Sequence, residues 1–116
     1  STATAYNFGQ LGSAHMHNTA GNDLTPPDGM VIVAITMLGA TTFDKLTCDT
    51  SNSVVYSSTE TNNVYFGITN GNTGGNSEAV DTSIEFPAGM TIYGRWTVVS
   101  LNAADTDGGI IAYFGF

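Results

Sequence analysis

The stretch MTIYGRWTVVSL, residues 90–101, alternates apolar and polar side chains. Such alternation marks a half-buried strand, because successive side chains of an extended chain point to opposite faces. Met90, Ile92, Trp96 and Val98 are expected on one face, and Thr91, Tyr93, Arg95 and Thr97 on the other. Gly94 falls on the apolar face beside Trp96, where a missing side chain leaves room for the indole. The stretch holds the chain's one tryptophan and one of its two cations. Arg95 lies on the polar face between Tyr93 and Thr97. A guanidinium there can stack on a tyrosine or fork onto a carboxylate or backbone carbonyls. A structural or intersubunit ion pair is the favoured reading. A ligand clamp comes second. A catalytic role comes last, since no nucleophile or base is evident nearby.

Outward from this stretch, glycine-rich turns punctuate the chain: PPDG, TNGNTGGN, PAG and DTDGG. Asn, Asp and Gly supply the positive φ angles that tight turns need. Between the turns lie short β-branched and aromatic runs, and helical periodicity is missing. Residues 30–38, MVIVAITML, are apolar on both faces until Thr36 and are expected to form the most buried strand. Further strands are expected at 5–9, 53–57, 63–69, 79–86, 90–101 and 110–116. Residues 12–25 are read as a loop or arm. The spacing of about 8–12 residues points to an all-β fold, a single-domain antiparallel β-sandwich or jelly roll of about seven or eight strands. One domain spans 1–116, with 1–28 as an extended N-terminal arm and loop.

Composition narrows the function. The 116 residues carry ten acids against two cations, a formal charge of −8. That balance excludes nucleic-acid binding, which needs clustered Lys and Arg, and it opposes docking on anionic lipid. Only 10% of residues are charged, far below the usual quarter or so. A surface built from Thr, Ser, Asn and Gly suits burial against neighbours, since interface centres are depleted in Lys, Glu and Asp. No stretch is apolar enough to span a membrane. STATAYNF lacks the basic and apolar regions of a signal peptide, and synthesis in a cytoplasm is expected.

The candidate chemical groups each have a plainer reading. His15 and His17 share a face if extended, but two ligands do not close a zinc site. An incidental pair on a polar arm is favoured. Asp105-Thr106-Asp107-Gly108 has the start of a calcium loop without its distal ligands, so a hairpin turn is favoured. Cys48, the single cysteine, is read as a buried structural thiol. The acid pairs Asp44/Asp49 and Asp81/Glu85 have the residue types of a glycosidase dyad, yet nothing marks them out from surface acids. No nucleotide-binding or nucleophile-elbow motif is present. Neither an enzyme nor a cofactor is expected.

PAGMTIYGRWTVVSL, followed by an acidic-glycine turn and GIIAYF, resembles the C-terminal end of small structural proteins of tailed bacteriophages, common in marine and cyanobacterial phages. The resemblance covers about the last 30 residues. It implies a β-rich virion module that decorates and cements a capsid at junctions between major capsid subunits, on the outer surface. A homotrimer is preferred. The interface or structural candidates are Tyr6 and Phe8 on the arm, with Tyr93, Arg95 and Trp96. One alternative is a tail or fibre component, with Trp96 or Tyr93 stacking on a receptor glycan. Another is a carbohydrate-binding or hydrolytic β-domain unrelated to phages.

Overall fold

A computed structural model of the chain describes residues 11–49, 82–104 and 106–116. These form one five-stranded antiparallel sheet: β1 (Ser13–Met16), β2 (Val31–Met37), β3 (Phe43–Cys48), β4 (Thr91–Leu101) and β5 (Ile110–Gly115), in the order β1-β5-β2-β4-β3. The fold is all-β. The strands expected at 5–9, 53–57 and 63–69 lie outside the described residues.

The apolar run of β2 takes the centre of the sheet, where both its edges are hydrogen-bonded and little of it meets water. β2 and its partner β4 start from the same device. Pro27-Asp28-Gly29-Met30 and Pro87-Ala88-Gly89-Met90 are turns closed by the methionine N–H on the proline carbonyl, at 3.0 and 3.4 Å. Gly29 and Gly89 take φ of 83° and 84° there, a conformation that favours glycine. One turn launches β2 and the other launches its partner β4.

β2 and β3 are both antiparallel to β4 and flank it on opposite sides. Thr36 pairs with Thr91 at the start of β4, and Phe43 pairs with Leu101 at its end. A straight β4 would hold those ends about 33 Å apart. Seven Cα steps from Thr36 to Phe43 reach at most about 25 Å. β4 is therefore bent. The bend has a visible cause in register slips around Trp96, one between Ile32 and Ala34 and one between Thr47 and Cys48. Such bulges bend and twist a strand. Trp96 is the hinge, paired with Ile32 on one side and Cys48 on the other.

One apolar cluster then draws on the whole sheet. It contains Ile32, Ile35 and Met37 of β2, Phe43 and Leu46 of β3, Trp96, Val99 and Leu101 of β4, and Ile110, Ala112 and Phe114 of β5. Ala14, Met16, Leu24, Met30, Phe86 and Ile92 pack against it. The indole lies directly over Gly94. A methyl group there would sit 2.6 Å from the ring, so the position excludes every other residue unless the indole moves.

The structure corrects several expectations. Strict alternation placed Val98 on the Trp96 face, but the slip at Thr97 reverses the phase, and Val99 and Leu101 join Trp96 in the core. β3 was not expected as a strand. β1 lies inside the segment read as a loop. Residues 82–86 form no strand, and Phe86 bridges Thr41 outside any strand. The turn around Asp107 and Gly108 does not close a hairpin, because β2 lies between β4 and β5. The connection crosses the end of β2 instead, where Leu38 N–H donates to the Gly109 carbonyl at 2.8 Å. Residues 11–28 also dock on the sheet. β1 pairs with β5, Gly21 N–H donates to the Leu101 carbonyl, and Leu24 bridges Val99.

Candidate functional site

The face of the sheet away from the core carries a different chemistry. Alternation puts Tyr113, Ala34 and Tyr93 in one row across β5, β2 and β4, since Ala34 pairs with both tyrosines. The next row holds His15, Ile111, Thr36 and Thr91. Two large rings thus flank one methyl group. Together with Thr36 and Thr91 they line an open groove of about 260 Å³. Thr36 and Thr91 hydroxyls bond to each other at 2.9 Å. Tyr93 is 64% exposed. No lining residue is charged.

Arg95 follows Tyr93 by two residues and ties the fold together. Its Nη2 donates to Asp49 Oδ2 at 3.0 Å, and Nη1 donates to the Phe116 main-chain oxygen at 2.8 Å. Asp49 N–H in turn donates to the Arg95 carbonyl at 2.9 Å. The Asp49 side chain is only 4% exposed, against 34% for Arg95. A carboxylate so buried requires its cation. Arg95 Nε is buried and has no hydrogen-bond partner among the described residues. One guanidinium therefore joins the end of β3, the middle of β4 and the residue after β5. The other cation, Lys45, holds Asp23 at 3.0 Å in the open, where both side chains are more than 40% exposed.

The remaining candidates are dispersed. Cys48 is buried in the sheet, and desolvation pushes its thiol up to about 11. At neutral pH it is protonated and is not a nucleophile. Asp44 accepts from Ser100 Oγ at 3.3 Å while Asp49 is held by Arg95, so these two acids serve separate contacts. His15 and His17 stack with ring centroids 5.4 Å apart, and His15 Nε2 donates to the Gly108 carbonyl. Among the described residues no three His, Cys, Asp or Glu side chains gather closely enough to hold a metal ion. No helix among them is long and apolar enough to cross a membrane. Tyr6, Phe8, Asp81 and Asp105 lie outside the described residues.

Sequence reasoning singled out Tyr93, Arg95 and Trp96 but not Ala34 or Tyr113, and it weighed Asp49 only as a pair with Asp44, not as the partner of Arg95. Asp49 is 46 residues from Arg95, and no local pattern signals a pair at that range. Tyr113 stands in the alternation of IIAYFG, which gives its face but not its neighbours. No protein-family model, curated protein or solved structure matches the chain.

Proposed function

We propose that the chain is a non-enzymatic structural protein of a tailed-phage virion, which decorates and cements the capsid at junctions between major capsid subunits. The observation that carries this reading is the fate of the two cations. Lys45 and Arg95 are each paired with an acid of the same chain, so neither is a free positive charge and the surface is dominated by acids and uncharged groups. Such a surface repels packaged DNA and favours the outer side of the shell. It also suits contacts made by apolar and Thr-rich patches. Leu38 and Met90 supply one such patch at the end of β2 and the start of β4, at 40% and 42% exposure. Met37 N–H donates to the Met90 carbonyl there, which keeps the two side chains at one end of the sheet. A trimer around that end would bury part of the uncharged surface. The partners are the major capsid protein and further copies of the chain. The resemblance of residues 87–116 to virion proteins supports the same reading.

The test is to separate virions into heads and tails and quantify the chain in each by mass spectrometry. Recovery with heads, in proportion to capsid subunits, is the expected result. Recovery with tails replaces the decoration role by that of a tail or fibre component. Its absence from virions overturns both.

A further inference from the structure

We propose that the groove between Tyr93 and Tyr113 is a binding site for a neutral pyranose ring. The inference concerns a different surface from the Leu38 and Met90 end and does not depend on where the protein sits in a particle.

The argument begins with spacing. Tyr93 and Tyr113 stand on strands that both flank β2, opposite the same residue, Ala34. Their Cβ atoms are therefore about 9.5 Å apart, twice the strand separation. A flat ring in contact with an aromatic face on each side needs about 7–8 Å. That spacing leaves room for such a ring between the two tyrosines, which line the groove together with Ala34. Among the described residues neither tyrosine side chain stacks on another ring or makes a hydrogen bond. Their faces and hydroxyls are unspent. The groove's volume of about 260 Å³ lies just below the usual range for drug-sized ligands, so it takes one ring at a time.

The chemistry selects the kind of ring. A pyranose has C–H faces that lie on tyrosine rings and a rim of hydroxyls that both donate and accept. Thr36 and Thr91 share one hydrogen bond, which leaves one O–H and several lone pairs facing the groove. An apolar ring would leave these groups unmet, which costs free energy once water is expelled. A nucleobase would fit the gap equally well, but it arrives with phosphate. A chain of net charge −8 repels phosphate, and the groove has no cation to hold it. Acidic sugars are disfavoured on the same ground.

The experiment uses the full chain, isotopically labelled, titrated separately with methyl β-glucopyranoside and methyl α-mannopyranoside and followed by amide NMR. The same protein is applied to an array of neutral glycans. Saturable shifts around Ala34, Tyr93 and Tyr113, with a dissociation constant of order 1 mM, are expected for at least one sugar. Tyr93→Ala, at an exposed position, should weaken binding about tenfold, and Tyr93→Phe should stay within about threefold. Array binding without methyl-glycoside binding, lost in Tyr93→Ala, supports the site and assigns its source as a terminal glycan residue. No saturable shift with either sugar and no array signal overturns the proposal. So does binding that Tyr93→Ala leaves unchanged. Shifts at the groove that follow protein concentration without sugar would also overturn it, by identifying a second copy as the occupant.

Discussion

The two halves of β4 share one strand but live in different surroundings. Residues 91–95 lie beside β2 and are half-buried, with Tyr93 open to solvent. Residues 99–101 lie between β3 and the Gly21 to Leu24 segment, and all three are buried. The same alternating sequence thus gives an open face at one end and core at the other. Burial is set by what flanks the strand, and the slips at Trp96 decide which side chains each half turns inward.

Removing the hinge should have the largest effect. Trp96→Ala empties the space over Gly94 and unlinks the two halves, and should cost about 3–5 kcal/mol in denaturant unfolding. Arg95→Ala leaves Asp49 buried without its cation and should cost about 2–3 kcal/mol, the partial exposure of the arginine lowering the fully buried figure. A loss no greater than that of Lys45→Ala, a surface pair worth at most about 1 kcal/mol, would show that burial does not separate the two ion pairs. The adjacent valines sharpen the comparison further. Val99→Ala should cost about 2 kcal/mol and Val98→Ala less than half of that. Equal losses would show that the phase of the strand does not reverse at Thr97. The smallest effect is expected in the open half, where Tyr93→Ala should shift stability by about 0.5 kcal/mol or less.

The strands legible in the sequence were those whose apolar pattern survives unbroken. The runs at 30–38 and 110–116 and the alternation at 90–101 all became strands. β3 was illegible because the slip around Asp44 spaces its inward residues as Phe43, Leu46 and Cys48, three apart and then two. A period-2 search cannot see that pattern. Residues 82–86 alternate yet form no strand, and Phe86 bridges Thr41, so alternation alone does not make a strand. The room for the Trp96 indole at Gly94 was readable because both residues are local. Asp49 beside Arg95, and Tyr113 beside Ala34, were not, since strand order brings them together from 46 and 79 residues apart.

The strand order also has a consequence for how the chain comes off the ribosome. β2 is the most apolar segment, yet both of its neighbours, β4 and β5, are made long after it. β3 cannot shelter it, because β3 itself waits for β4. Most contacts in the sheet therefore span long stretches of chain, the pattern associated with slow folding. Until residues 91–115 are synthesised, MVIVAITM must stay unpaired, and an unpaired apolar strand is a template for aggregation. Residues 91–116 thus supply both neighbours of β2, and a chain that stops before β5 should be found in the insoluble fraction.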